Sequence, residues 1–349
     1  MKKPDFAALA RQNIRSLTAY EAKEIPCRVK LDANESPYAP NLSISPQVMA
    51  SLNRYPDPQG RALKKALARE FAVTERQILL GNGSDEIIYN LIIAFGGPVL
   101  YPVPTFSMYG IISQALGEQG IGIPLQTDFS LDLRKMLAAI RKLQPKIVFL
   151  SSPNNPTGNS FAREAIEEIL RVADGIVVVD EAYQPFSKEK SFVPELKRYG
   201  NLAVLRTFSK IGLAALRLGY MIADEGMVVV VNKVRLPYNV NTLSQALALE
   251  SLCRKTESRA GVKKIVVERV RIMKELKSMP KIEACPSDAN FILFRLSNAD
   301  AVHTALIRSG VLVRNMSGAI SDALRVTIGT PDENSAFCAA LRTILKERS

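Results

Sequence analysis

The chain holds a single histidine in 349 residues. Ser-His-Asp and Cys-His catalysis therefore have little to work with. That residue, His303, sits in AVHTALI, a helical pattern, and reads as a surface or half-buried helix residue. The four cysteines, Cys27, Cys253, Cys285 and Cys338, lie far apart with no C-x-x-C pair. Neither a metal site nor a disulfide framework is expected from them. No apolar run approaches the length of a membrane span. The start, MKKPDFAALARQ, loses its apolar character after a few residues and no small-residue cleavage site follows. It is not expected to be a signal peptide, and the cytoplasm is the simplest compartment. Net charge is +12, yet no run of five basic residues occurs and no aromatic-interleaved basic motif is seen. A solvated basic surface is the better reading than a nucleic-acid footprint, and a phosphorylated substrate would gain from the same field.

What is present is ordinary for a globular chain of about two domains: 47% hydrophobic and 23% charged residues. Residues 1–30 read as an arm with too little apolar surface to fold alone, so it must dock on the body or on a partner chain. From 31 to 243 strand and helix patterns alternate. Strands are expected at 98–101, 120–125, 146–151, 176–180, 202–206 and 218–223, with helices at 105–117, 130–143 and 160–173. Strands apolar throughout, such as IVVVD, indicate a mostly parallel sheet with helices on both faces, an α/β architecture. From 244 to 349 the texture changes to a long charged helical run (244–278), short strands at 290–296, 310–315 and 323–330, a helix at 299–309 and a last helix after Pro331. This predicts a smaller C-terminal α+β domain.

In an open parallel sheet the ligand lies beyond the carboxyl ends of the strands. Polar residues gather there: Gly83-Ser84-Asp85, Asn154-Asn155, Asp180 and Ser209-Lys210. Two segments stand out. In ILLGNGSDEIIYNLIIAF (78–95) a strand turns through glycines into a helix whose free N–H groups suit a phosphate. The sequence is neither a Walker loop nor a full G-x-G-x-x-G. In LAVLRTFSKIGLAALRLGYMI (202–222) a buried strand delivers Thr207, Ser209 and Lys210, with Arg217 following. Desolvation lowers a lysine's pKa and makes it the usual Schiff-base former with carbonyl cofactors. The hydroxyls and the guanidinium suit a phosphate on the same molecule.

The motifs LDANESPY, RYPDPQGRALKKAL, GNGSDEII, PTFSMY, SSPNNPTG, VVVDEAYQPF, RTFSKIGLAALRLGY, GVLVRN and ALRVTIGT occur in an order that resembles the fold-type I enzymes dependent on pyridoxal 5′-phosphate (PLP). Within them the chain resembles the histidinol-phosphate aminotransferases, from Ile14 to Thr330. The resemblance implies that Lys210 is the Schiff-base lysine and proton carrier, and that Asp180 pairs with the pyridine nitrogen. It implies that Tyr183 and Asn155 bond the ring hydroxyl and that Phe106 stacks on the ring. Gly83, Ser84, Asp85, Thr207, Ser209 and Arg217 would hold the phosphate, Asp85 through its backbone N–H with its side chain turned away. Tyr55 would reach the cofactor phosphate of a neighbouring subunit in a homodimer with shared active sites. Arg325 would take the α-carboxylate of glutamate, Arg314 and Tyr20 would lie near the substrate phosphate, and Asn34 would face the substrate. The implied reaction converts histidinol phosphate and 2-oxoglutarate to imidazole-acetol phosphate and glutamate, in histidine biosynthesis. An O-phosphothreonine decarboxylase and an aromatic amino-acid aminotransferase share most of these motifs and remain alternatives. A PLP-fold regulator that binds DNA would carry an extra N-terminal module, and only some 30 residues precede LDANESPY.

Overall fold

The computed structural model describes residues 4–18 and 24–347. Twelve strands are numbered in chain order: β1 Val29–Leu31, β2 Ile78–Gly81, β3 Val99–Val103, β4 Gly120–Pro124, β5 Ile147–Ser151, β6 Ile176–Asp180, β7 Leu202–Thr207, β8 Gly219–Ala223, β9 Glu283–Ala284, β10 Phe291–Arg295, β11 Val311–Asn315 and β12 Ala323–Thr327. They form two sheets. The larger has the order β2-β8-β7-β6-β5-β3-β4. All its pairings are parallel except those of β8, which runs against both neighbours.

The apolar runs are continuous because each face of this sheet is covered. Val148, Leu150, Val177, Val179 and Val204 point to one side and pack with the helices Arg61–Phe71, Leu133–Leu143 and Arg163–Val172. Phe149, Val178, Ala203 and Leu205 point to the other and pack with Ser84–Phe95, Met108–Leu116 and Glu225–Asn232. Each such fully buried aliphatic side chain contributes about 1.5–3 kcal/mol. Helix starts follow the local chemistry. Asp132 accepts from Lys135 N at 3.0 Å, Asn241 accepts from Ser244 N at 2.8 Å, and Pro331 opens the last helix, Pro331–Glu347.

The second sheet has the order β1-β11-β12-β10-β9 and packs on the helices Lys255–Lys277, Ala299–Arg308 and Pro331–Glu347. One point departs from the sequence-based division. β1 pairs in parallel with β11 (Val29↔Val311, Leu31↔Val313), so residues at the 30/31 boundary belong to the same sheet as the C-terminal strands. The helical run at 244–278 is two helices, Thr242–Cys253 and Lys255–Lys277, broken at Arg254 (φ −104, ψ 38). The break lets Ala248 pack in the first core and Ile265, Ile272 and Leu276 in the second. The helix expected from 105 starts at Met108, because Thr105 is committed to a loop where its hydroxyl donates to Asn154. The arm docks through Asn13, whose side chain donates to the carbonyls of Gln114 and Ala115.

The register brings Gly81, Gly219 and Thr207 side by side at one edge. Gly219 sits so close to the following helix that a Cβ on it would lie 2.4 Å from Ser84 N. Gly219→Ala is therefore expected to destabilise the protein by about 1–3 kcal/mol. Urea unfolding checks this; an unchanged midpoint would mean that strand and helix separate freely.

Candidate active site

The site is built from the end of the large sheet upward. β7 delivers Thr207, and the tight turn Ser209–Ile211 presents Lys210, relieved by Gly212 at φ 103. Thr207 Oγ1 donates to Ser209 Oγ at 3.0 Å, and Ser209 N donates to Thr207 Oγ1 at 3.0 Å, which fixes the turn. Arg217, in the left-handed region at φ 48, brings Nη1 to 3.4 Å from Ser209 Oγ. Gly83 precedes the helix Ser84–Phe95 at φ 85, and a Cβ on it would lie 2.9 Å from Arg217 Nη2. Glycine therefore keeps open the space between the helix N–H groups and this guanidinium. Asp85 departs from expectation: its Oδ2 accepts from Arg217 Nη2 at 3.2 Å, so the side chain turns toward the arginine. Both members are about half exposed. Such a pair is worth under about 1 kcal/mol, so an incoming phosphate displaces the carboxylate at little cost.

Asp180 ends β6 and is 4% exposed. It accepts from Tyr109 Oη at 2.7 Å and from Ala182 N at 3.0 Å. Burial raises its pKa from 3.8 to about 6 against these two bonds, and the negative charges of Asp85 and Glu181 push the same way. Tyr109 is fully buried, stacked on Phe149 at 4.6 Å, with Phe106 edge-on at 5.6 Å.

A third group converges from the other sheet. Lys210 Nζ donates to Ala33 O at 3.3 Å, and Arg325 Nη2 donates to Asp32 O at 2.7 Å. Arg325 Nη1 also donates to Asn155 Oδ1 at 2.5 Å. Asn34 Nδ2 donates to Tyr183 Oη at 3.0 Å, and Lys210 Nζ lies 5.8 Å from the centre of the Tyr183 ring. Arg314 is directly opposite Arg325 on adjacent antiparallel strands, so the two side chains leave the same face. Tyr55 stands apart: it is 81% exposed and stacks on Tyr238 at 4.6 Å. Tyr20 lies outside the described residues. His303 is half-buried on a helix with a ring nitrogen 3.0 Å from Val313 O, as its pattern implied. Among the described residues no group of acids, cysteines and histidine could hold a metal, and no helix is long and apolar enough to cross a membrane.

Sequence reasoning missed Tyr109, Thr327 and Asn290. Thr327 Oγ1 accepts from Asn34 N at 2.9 Å, and Asn290 Nδ2 donates to Asn34 O at 2.9 Å. Tyr109 had a usable signal: a tyrosine on the buried stripe of a helix, with Ile112 one turn on, needs a partner for its hydroxyl.

The raised pKa of Asp180 makes a stability prediction for the ligand-free protein. The fold favours the protonated acid, so this stabilisation is complete below pH 3.8 and is lost as pH rises through about 6. Asp180→Asn, neutral at every pH, is expected to unfold at higher urea than the parent at pH 8, by up to about 3 kcal/mol, with the gap narrowing below pH 6 and closing only toward pH 3.8. Tyr109→Phe removes a donor to the carboxylate and should move the crossover upward in pH. Equal stability of parent and Asp180→Asn across this range would refute the account.

Three comparisons with known proteins bear on this geometry. The family "Aminotransferase class I and II" matches residues 25–341. The chain is similar to histidinol-phosphate aminotransferase 2 of Nitrosococcus oceani, 43% identical over 98% of this chain and 99% of that one. It is also similar to the histidinol-phosphate aminotransferase of Caldanaerobacter subterraneus, 41% identical over 97% and 99%. Among solved structures, a putative histidinol-phosphate aminotransferase from Erwinia carotovora superposes with a TM-score of 0.84 at 26% identity, covering 94% of this chain and 99% of that one. The fold is the fold-type I aminotransferase fold, and the family's cofactor is PLP. The residues present fit that cofactor. A Cβ on Gly83 would crowd Arg217 Nη2 at 2.9 Å, so glycine there leaves the guanidinium and the helix start open to an anion such as the cofactor's phosphate, and the buried Asp180, raised by desolvation, gains from a ring N–H cation. By the family match and by the full-length relatives, the chain belongs to the class I and II aminotransferases.

Proposed function

We propose that this enzyme transfers the amino group of histidinol phosphate to 2-oxoglutarate, giving imidazole-acetol phosphate and glutamate, in histidine biosynthesis. The observation that carries the substrate class is the opposition of Arg314 and Arg325 on one sheet face, with Arg325 tied through Asp32 to the segment that Lys210 touches. Two guanidinium groups leaving one sheet face raise the local positive potential, which favours anionic ligands. The two substrates bring a phosphate and carboxylates to that place. Full-length similarity to histidinol-phosphate aminotransferases supports the same reading.

Bound PLP supplies an aldehyde that takes up the amino group and a ring that withdraws electrons. The chain's residues do the rest. Gly83, Ser84, Thr207, Ser209, Arg217 and the backbone N–H of Asp85 would hold the phosphate. Asp180, itself held by Tyr109, would favour a protonated ring nitrogen. Tyr183 and Asn155 would bond the ring hydroxyl, and Phe106 would cover the ring face. Lys210 Nζ would anchor the aldehyde carbon and, once the substrate amine takes its place there, would be free to take the proton from the substrate Cα. Arg325 pairs with the α-carboxylate of glutamate in bidentate fashion. Arg314 and Tyr20 take the substrate phosphate, and Asn34 closes the loop over it.

Tyr55 would reach the cofactor phosphate of a neighbouring subunit in a homodimer with shared active sites. Its exposure and its stacking on Tyr238, also exposed, support this reading. We assign the chain an arm (1–30), a large PLP-binding domain (31–243) and a small domain (244–349), with β1 lent to the small domain's sheet. The setting is the cytoplasm. No membrane or nucleic-acid partner is needed.

Titration of the PLP-loaded protein with histidinol phosphate, without oxo acid, should bleach the cofactor's visible band, and 2-oxoglutarate should restore it. A band that ignores histidinol phosphate would overturn the substrate assignment. Lys210→Ala should still bind PLP weakly, yet complete no transamination; normal turnover by that variant would remove Lys210 from its role.

A further inference from the structure

A cavity of about 380 Å³ beside Lys64 and Arg235 was one candidate for a new site, but its arginine is consumed by Asn232, Asn239 and the carbonyl of Pro58. A second cavity carries more. It measures about 430 Å³ and lies between the large sheet and the start of the helix Lys255–Lys277. Its floor is aromatic: Tyr220 packs against Phe71 at 5.8 Å and against Phe208 at 5.6 Å between ring centres. Its rim is basic. Lys255, Arg259 and Lys263 recur on successive turns of one helix and all line the opening. Glu70 is the one carboxylate they share, bonded to Lys255 and 3.7 Å from Arg259. Among the described residues Lys263 has no acidic partner. The other acid on the wall, Glu181, is spent on Arg206 at 2.6 Å and on the backbone N–H of Phe192.

We infer that this cavity binds a small molecule with a flat aromatic body and one acidic group. The aromatic body would lie on Phe71, Phe208 and Tyr220. The acid would face Arg259 and Lys263, where positive charge exceeds negative. The volume is within the range of small-ligand pockets, and pockets between packed units are common ligand sites. The cavity lies on the side of the turn away from Lys210: Phe208 and Ile211 line it, whereas Lys210 does not, and Thr207, assigned above to the cofactor phosphate, borders both. An occupant would touch at once the turn that carries Lys210 and a helix whose far end is seated in the second core through Ile265 and Ile272.

The test uses the PLP-loaded enzyme and anilinonaphthalene sulfonate, an aromatic acid whose fluorescence rises in apolar surroundings. One saturable site is expected, and saturating histidinol phosphate should leave it unchanged. Arg259→Glu combined with Lys263→Glu should weaken binding at least about tenfold, with thermal unfolding unaltered to show that the fold is kept. Val262→Trp, which fills the cavity from the same helix without changing charge, should also weaken it. The inference is overturned by absence of saturable binding, by displacement with histidinol phosphate, or by binding that both variants leave intact.

Discussion

The segment Asp32–Asn34 is the constraint on which the two halves of the site depend. β1 ends at Leu31 in the second sheet, and the next residues must cross to the edge of the first. Asn34, buried in this crossing, has backbone polar groups that water cannot reach, so they need protein partners. Here the partners are functional side chains. The carbonyl of Asp32 takes Arg325, that of Ala33 takes Lys210, and that of Asn34 takes Asn290. Asn34 itself adopts φ 55, a conformation its short amide side chain tolerates, and is 1% exposed. Moving β1 by one residue would reverse its faces and unseat all of these contacts.

Asp180 shows the cost of such a site. A buried carboxylate with two donors is less stable charged than it would be in water. Asparagine there, which keeps an acceptor for both donors, would make a more stable ligand-free protein at neutral pH. The unfavourable burial becomes useful when a cation arrives, because a desolvated carboxylate gains more from a positive partner than a hydrated one does. Tyr109 sets how far this goes. Its hydroxyl holds one oxygen in place and offsets part of the burial, and Phe149 and Phe106 hold its ring. Glu181, the next residue, solves the same problem differently: it is 2% exposed but fully matched by Arg206, Ser191 and the N–H of Phe192. Adjacent buried acids thus divide into one spent on structure and one kept for a ligand.

Much of this was legible in the sequence because the periodicities were strong. IVVVD could only be a strand covered on both faces, and β5, β6 and β7 fall within a residue or so of their expected limits. The candidate site residues stand where the sequence pattern put them, at the end of such a strand, as Asp180 does, or just after one, as Lys210 does. What was not legible depends on distance in sequence. β1 has three residues and finds its partner in β11, far along the chain, so no local pattern announces the pairing. The break at Arg254 is invisible because both flanking segments are good helix formers; only their allegiance to different cores forces it. The pairing of the Asp85 side chain with Arg217 was not legible either, because the two lie 132 residues apart.

The turn Thr207–Ile211 has two working sides. On one, Lys210 meets the Asp32–Asn34 crossing; on the other, Phe208 and Ile211 face the aromatic cavity. A turn in this position cannot be rigidified by filling both sides with protein, since one must admit a cofactor. Its stiffness comes instead from the short bonds among Thr207, Ser209 and Leu218, and from Phe208, which is 2% exposed. The lysine's backbone is positioned by bonds made one and three residues before it, while its amine holds Ala33 O at 3.3 Å. A contact of that length is readily exchanged, as the proposed proton carrier would require in every cycle.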